Sequence, residues 1–154
     1  MKKTYIILAL LFISGCYQSS EDASLTLEKK YNIYISKLSN EQIEKNLKMG
    51  LKPIAIKDNI DVKGFANTAG SLAMKNNYPD KNAFLVEKLI NNGYFVIGKT
   101  NLSEWANFRS SSSTSGWSSM GGQTINPYGE MRTPCGSSSG CLLYTSPSPR
   151  DGLL

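Results

Sequence analysis

The sequence predicts an α/β fold with a parallel sheet, and three neighbouring segments support that prediction. Residues 52–57, KPIAIK, form a short apolar run that is typical of a strand, with Pro53 near its start, where a proline is tolerated. Residues 81–92 place their apolar side chains with the spacing of an amphipathic helix. Residues 94–98, YFVIG, are typical of a fully buried strand. A helix followed directly by a buried strand indicates parallel α/β architecture.

Two short helices are predicted before the first of these strands. The apolar residues of the first helix follow helical spacing: Leu27, Tyr31, Tyr34, Ile35 and Leu38. The second helix is predicted over residues 39–48, with Ser39 or Asn40 as its N-cap. After the strand that ends at Lys57, the segment Ile60-Asp61-Val62 is predicted to be a second extended piece.

The segments after the buried strand are predicted to be loops and one short helix. Residues 99–101 are predicted to turn into a short helix over residues 102–108. Residues 110–119, SSSSTSGWSS, have the composition of a flexible linker. They contain Trp117, however, and Gly121 and Gly122 follow closely, which is unusual for a linker. We therefore predict an ordered loop near a functional site.

The N-terminal residues have the three parts of an export signal. Two lysines precede an apolar run over residues 5–13, and small residues follow. The run is shorter than the roughly 20 residues of a membrane-spanning helix. The ending ISGC resembles a bacterial lipoprotein box, which implies cleavage before Cys16 and its acylation; an ordinary signal with an incidental Cys16 is the alternative. We expect a signal peptide at residues 1–15, a tether at residues 16–24, and an exported lipoprotein anchored to a membrane, periplasmic or at the cell surface.

Composition excludes several kinds of active site. The chain contains no histidine, which excludes a Ser-His-Asp triad and any His-containing zinc site from its residues. The three cysteines, Cys16, Cys135 and Cys141, lack the spacing of metal ligands. The net charge of +5 includes Lys2 and Lys3, and the remaining lysines are scattered, so no nucleic-acid partner is indicated. Lysine is the base available for catalysis.

Two segments contain candidate catalytic residues. Lys57 ends an apolar strand and is followed at once by Asp58 and Asn59. A lysine in that position usually extends its amine to the surface, so the pattern by itself favours an exposed side chain. The second segment, residues 135–140, is CGSSSG, which by itself is typical of a serine-rich loop.

Three blocks of residues resemble the amidase signature family. They are AIKDNIDVKGFANTAGS, VIGKTNLSEWANFRS and GWSSMGGQTINPYGEMRTPCGSSSG, in the family's order. The resemblance implies a mixed sheet flanked by helices, of which residues 25–140 form the N-terminal part. It also implies hydrolysis of a small-molecule amide by a Ser-Ser-Lys triad, with no metal or organic cofactor. Lys57 matches the triad lysine, and Ser137 matches the bridging serine, which follows a cis peptide bond after Gly136.

The chemistry of such a triad requires a lysine that is neutral when the reaction begins. The lysine accepts a proton from the bridging serine, which takes one from the nucleophilic serine as an acyl-serine forms. Because the ordinary pKa of lysine is about 10.4, burial must lower it, and the apolar run before Lys57 is consistent with burial. The carboxylate of Asp58 would oppose that change, so we expect it to point away from the amine. No residue of this chain matches the family's nucleophile.

The last residues, 141–154, differ from what the resemblance implies. The family continues with small residues that open a helix, whereas Pro147 and Pro149 would break one. The string CLLYTSPSPRDGLL resembles a translated sequencing adaptor, with a divergent natural terminus as the alternative. We therefore expect a non-native tail on an amidase fragment that is inactive as written.

Two other functions remain open at this point. The first is a non-catalytic surface lipoprotein that uses the amidase scaffold for binding. The second is the amidase component of a tRNA-dependent amidotransferase, which the export signal opposes because that work is cytoplasmic.

Overall fold

The computed structural model describes residues 27–141. The chain divides into two compact units, Met1–Lys30 and Tyr31–Leu154, each of which has most of its contacts within itself. Of the first unit only residues 27–30 are described, and they are helical. The predicted signal peptide, Cys16, the tether and the tail after Cys141 lie outside the described residues.

The described part of the second unit contains five strands, two complete α-helices and the further helical residues 31 and 139–141. The strands are β1 (Tyr34–Lys37), β2 (Lys52–Lys57), β3 (Tyr94–Thr100), β4 (Trp117–Ser118) and β5 (Gly122–Gln123). The helices are α1 (Asn40–Lys48) and α2 (Phe84–Asn91), with 3₁₀ turns at Leu72–Met74 and Glu104–Asn107.

Three strands form a mixed sheet in the order β1-β3-β2. The central strand, β3, is antiparallel to β1 and parallel to β2. The predicted α/β fold with a mixed sheet is therefore confirmed. At the carboxyl ends of the parallel pair, Ile56 lies beside Lys99 and Lys57 lies beside Thr100.

Helix α2 lies in the connection between the two parallel strands, which require such a crossover. Its Val86 is fully buried and joins Ile56, Val62 and Val96 in an apolar cluster. Because Ile56 and Val96 belong to β2 and β3, this cluster fixes the helix on one face of the sheet. Lys57 follows Ile56 along β2, so its side chain lies on the opposite face of the sheet.

Two predicted helix boundaries are confirmed. The Oγ of Ser39 accepts a hydrogen bond from the Gln42 amide (3.3 Å), and the Ser39 amide donates to Gln42 Oε1 (3.1 Å). This reciprocal pair is a capping box, which satisfies amides that a helix start leaves unpaired. Helix α2 ends before Asn92, and Gly93 follows with a φ of +81°, a left-handed conformation that glycine adopts readily.

The predicted helix before α1 is wrong for residues 34–37. These residues form β1, with Ser36 beside Lys99 and Lys37 beside Gly98. The helical spacing of the apolar residues is a local signal, whereas the strand is decided by pairing with β3. The predicted extended piece at residues 60–62 is also not a strand, because the chain turns there and the Ile60 amide donates to the Lys57 carbonyl (3.0 Å).

The boundary after β3 also differs from the prediction. Lys99 and Thr100 belong to the strand rather than to a turn. The helix predicted over residues 102–108 is a short 3₁₀ turn, in which Trp105 and Ala106 have left-handed φ values of 51° and 53°. Local pattern predicted a change of direction in this region, but placed its start two residues early.

The predicted order within the serine-rich segment is confirmed for its second half. Strands β4 and β5 pair antiparallel in a short ladder. The Thr124 amide donates to the Gly116 carbonyl (2.8 Å), and the buried Ser118 donates its Oγ proton to Asn101 Oδ1 (2.6 Å). These contacts attach the segment to the residues that follow β3.

Candidate active site

The structure brings the two candidate catalytic residues into direct contact. The Nζ atom of Lys57 donates a hydrogen bond to the Oγ atom of Ser137 at 2.7 Å, across 80 residues of sequence. Lys57 is the last residue of β2, and Ser137 follows the cis peptide bond at Gly136. An amine and a hydroxyl at this distance can exchange a proton directly.

The environment of Lys57 favours loss of its proton. The side chain is partly buried, and this burial lowers the pKa of the amine from its ordinary value of 10.5. A charge interaction with Cys141 acts in the opposite direction but is the smaller effect. The lowered pKa increases the neutral fraction of an amine that is already hydrogen-bonded to a hydroxyl.

The carboxylate of Asp58 points away from Lys57, as expected from the sequence. Its Oδ2 atom accepts hydrogen bonds from the Thr68 amide (3.0 Å), the Thr68 hydroxyl (2.7 Å) and the Gly70 amide (3.1 Å). Asp58 is almost fully buried, so these three donors compensate for the loss of water around its carboxylate. The carboxylate therefore fixes the loop at Thr68 and Gly70.

The Ser137 side of the contact is attached to the segment that follows β3. The Ser103 amide donates to the Ser137 carbonyl (3.0 Å), and the Gly140 amide donates to the Asn101 carbonyl (3.0 Å). The approach is close, since a Cβ atom on Gly136 would lie 2.6 Å from the Ser103 hydroxyl. A side chain before Ser137 would therefore require the Ser103 hydroxyl to move.

Asn101 connects the same segment to the ordered serine-rich loop. It is fully buried, and its Nδ2 atom donates to the Gly122 carbonyl (3.1 Å) and to the Thr124 hydroxyl (3.0 Å). Its Oδ1 atom accepts from the Leu102 amide (2.9 Å) and from Ser118. This side chain thereby fixes both ends of the β4–β5 ladder beside the segment that holds Ser137.

Sequence reasoning missed one charged residue beside the site, Lys99. It is fully buried, and its Nζ atom donates to the carbonyl oxygens of Asp58 (2.8 Å), Ile60 (2.8 Å) and Ala66 (3.2 Å). Lys99 directly follows the apolar run YFVIG, and this position could have indicated that its side chain is buried. The predicted turn at residues 99–101 hid that signal, because a lysine in a turn is expected to be exposed.

Two further observations concern the described residues only. Between residues 27 and 141, no group of three or more His, Cys, Asp or Glu is arranged to hold a metal ion. In the same range, no helix has both the length and the apolar composition needed to cross a membrane.

Comparison with known proteins identifies the family. The family model for Amidase matches residues 17–142. The chain belongs to the amidase family. The resemblance of the three sequence blocks is thereby confirmed, and both residues of the Lys57–Ser137 contact lie inside the matched range.

Individual amidase-family relatives agree with this assignment. A probable amidase of Arabidopsis thaliana is 45% identical over 92 residues, which are 59% of this chain and 18% of that protein. A glutamyl-tRNA(Gln) amidotransferase component of Methanosarcina acetivorans is 39% identical over 122 residues, 73% of this chain and 24% of that protein. Native peptide amidase from Stenotrophomonas maltophilia has a similar structure, with a TM-score of 0.63 and 42% identity over 73% of this chain and 25% of that one. This amidase chain spans about a quarter or less of the length of these relatives.

Proposed function

We propose that the protein hydrolyses the C–N bond of a small-molecule carboxamide, with Lys57 as the base and Ser137 as the bridging serine. The observation that carries this proposal is the 2.7 Å hydrogen bond between the Lys57 amine and the Ser137 hydroxyl. Membership of the amidase family and the lowered pKa of Lys57 support it. Relatives named as amidases and a structural neighbour named as a peptide amidase are consistent with an amide substrate.

In the proposed mechanism, the neutral Lys57 amine accepts the proton of the Ser137 hydroxyl. Ser137 in turn takes a proton from a nucleophilic serine, which attacks the amide carbonyl and forms an acyl-serine intermediate. The protons return along the same path to the departing nitrogen, and water then hydrolyses the acyl-serine. We assign the nucleophile to no residue of this chain.

Amide hydrolysis by the complete product of the gene that encodes this chain tests the proposal. The assay measures ammonia released from a peptide amide and from a short aliphatic carboxamide. The variants Lys57→Met and Ser137→Ala should each reduce the rate by at least about 100-fold, because each interrupts proton transfer. Lys63→Met, which removes an exposed lysine a few residues after Lys57, is the matched control and should retain the rate.

Near-normal hydrolysis by either folded variant would remove that residue from the mechanism. Absence of hydrolysis in the folded wild-type product would contradict the enzymatic proposal. That result would favour the use of the amidase scaffold for binding.

We propose in addition that the protein is exported and attached to a membrane by a lipid on Cys16. The support is the order of charged, apolar and small residues in MKKTYIILALLFISGC. Some of the relatives are components of glutamyl-tRNA(Gln) amidotransferases, and an exported protein would not have access to a tRNA. Export therefore favours a free small-molecule amide over a tRNA-bound one.

Labelling with a palmitate analogue tests the lipid anchor. The wild-type protein should incorporate the label, and Cys16→Ser should lose it. Cys135→Ser, which changes an exposed cysteine of the folded domain, should remain labelled. Equal labelling of Cys16→Ser and the wild type would contradict acylation at Cys16.

A further inference from the structure

Lys99 makes three charged hydrogen bonds beside the candidate site. A lysine ammonium has three donors, and all three are directed at main-chain carbonyl oxygens, those of Asp58, Ile60 and Ala66. The side chain is fully buried. A buried cation is tolerated when its hydrogen bonds are satisfied, and these three carbonyls satisfy them.

All three acceptors lie in the segment that directly follows Lys57. This segment, residues 58–66, has no helix or strand of its own in the structure. Its conformation therefore depends on contacts with neighbouring elements. The convergence of three of its carbonyl oxygens on one ammonium group supplies such contacts from inside the fold.

The main chain of Asp58, the residue after Lys57, is held through both its amide and its carbonyl by residues of β3. The Asp58 amide donates to the Thr100 carbonyl (3.1 Å), and the Asp58 carbonyl accepts from the Lys99 ammonium (2.8 Å). Lys57 itself lies beside Thr100 in the sheet. Loss of the ammonium would release the Asp58 carbonyl and loosen the strand end at which the catalytic amine is attached.

The strand end that holds Lys57 and the segment that holds Ser137 are thus positioned by one continuous stretch of chain. Lys99 contacts the first through its side chain, while Asn101 and Ser103 contact the second through their main chain. Within this stretch, Lys99 is the charged member.

We propose, on the basis of the proton-transfer role proposed for Lys57, that Lys99 is a positioning residue for the reaction. By binding the three carbonyls, Lys99 keeps the Lys57 amine at hydrogen-bonding distance from Ser137 and keeps it partly buried. Proton transfer from Ser137 to Lys57 requires both conditions. Lys99 itself does not contact the reacting atoms.

Titration of the Lys57 amine in the full-length chain tests this role separately from catalysis. The protein is labelled with ¹³C and ¹⁵N in its lysines, and the Lys57 signal is assigned by its loss in Lys57→Met. In the wild type the pKa of Lys57 should lie below 10.5. In Lys99→Met it should return towards that value, because water gains access to the loosened strand end. Lys63→Met, in the same loop but exposed, should leave the pKa of Lys57 as in the wild type.

The complete gene product provides a second measurement, the dependence of rate on pH. The kcat should rise with pH as Lys57 loses its proton, and in Lys99→Met this rise should occur at higher pH than in the wild type. At a fixed pH within the wild-type rise, the kcat of Lys99→Met should therefore be lower by about tenfold or more. The KM should change little, because Lys99 lies beneath the loop rather than at the reacting atoms. A residue that only stabilised the fold would not shift the pH profile of the folded enzyme.

The outcomes separate the two proposals. If the pKa of Lys57 in the wild type is not lowered, the proposed function of Lys57 fails. If the wild-type pKa is lowered and folded Lys99→Met has the same pKa and pH profile, only the role of Lys99 fails.

If Lys99→Met does not fold, Lys99→Gln is used, since a glutamine amide can still donate to the carbonyls. Folded Lys99→Gln should show the same changes in smaller degree, and wild-type behaviour would overturn the proposal. If neither variant folds, the role of Lys99 is not separable from folding and the proposal is likewise overturned.

Discussion

Lys57 and Lys99 are buried to different extents at the ends of adjacent strands, and their partners suit different roles. Because Ile56 lies beside Lys99 and Lys57 lies beside Thr100, the two lysine side chains project from opposite faces of the sheet.

Burial lowers the pKa of both amines, Lys57 and Lys99. Lys99 donates to three carbonyl oxygens, which stabilise a cation, and the carboxylates of Asp58 and Asp61 oppose its pKa decrease. The Lys57 amine is bonded to a hydroxyl, which can both accept and donate a proton.

The lowered pKa of Lys57 predicts a specific dependence of stability on pH. Between the folded-state pKa and 10.5, the unfolded chain binds a proton that the folded chain does not, so raising the pH favours the folded state. The free energy of unfolding of the wild type should therefore rise relative to that of Lys57→Met as the pH increases towards 10.5. Urea denaturation of both proteins in matched buffers measures the difference. A difference that is constant or falls with pH would contradict the lowered pKa.

The sequence predicted Lys57 and Ser137 only through the resemblance of whole blocks to a family. The local pattern alone predicted an exposed side chain for Lys57 and a serine-rich loop for residues 135–140, CGSSSG. The two residues are 80 positions apart, so no local signal describes the hydrogen bond between them. Lys99 was missed for a related reason, because the carbonyls that make its burial tolerable belong to a distant segment.

At the scale of elements, the site depends on β3 and the segment that follows it. The strand was predicted over residues 94–98 and extends to Thr100. Its polar end is buried because Lys99 and Asn101 find hydrogen-bond partners in other parts of the chain. Strands β2 and β3 and helices α1 and α2 were predictable because their patterns are local, although α2 begins at Phe84, three residues later than predicted, and has no side-chain cap at its start. Strand β1 was not, because only its pairing with β3 distinguishes it from a helix.

The close contact between residues 137–140 and the segment after β3 predicts that Gly140 cannot be replaced. A Cβ atom at Gly140 would lie 2.5 Å from the Ile33 carbonyl oxygen and 2.8 Å from the Asn101 amide nitrogen and carbonyl oxygen. Backbone atoms cannot move aside as flexible side chains do, so Gly140→Ala should cost about 1–3 kcal/mol of stability. It should also separate Ser137 from Lys57.

Denaturation by urea measures the cost of Gly140→Ala, and lysine NMR reports the contact between Lys57 and Ser137. Gly129→Ala is the control, because its new Cβ atom would meet only the flexible side chain of Arg132, at 3.3 Å. Equal stability of the two variants would show that the approach at Gly140 is less close than described.

At the scale of the whole molecule, the described residues combine a small apolar core with a large polar network. The buried cluster consists of Ile56, Val62, Val86 and Val96. Several large apolar side chains of the described residues are exposed, among them Leu85, Phe108 and Met131.

A small core predicts that each of its members contributes a large share of the stability. Val86 is fully buried, so Val86→Ala should lower the free energy of unfolding by about 2 kcal/mol through the loss of two packed methyl groups. Its neighbour on the same helix, Leu85, is 55% exposed, and Leu85→Ala should cost less than about 0.5 kcal/mol. Parallel urea denaturation curves measure both values. Similar losses in the two variants would contradict the described packing of α2.

The contacts of Lys99 with the loop involve only the main chain of the loop. The lysine binds carbonyl oxygens, which every amino acid carries, so it places no requirement on the side chains of Ile60 and Ala66. Substitutions at the exposed positions of the loop, such as Lys63, can therefore alter the surface next to the active site while the main chain beneath it keeps its path. In evolutionary terms, a single retained ammonium group would allow these exposed positions to diversify, and in engineering terms they are suitable places to introduce variation without displacing the catalytic amine.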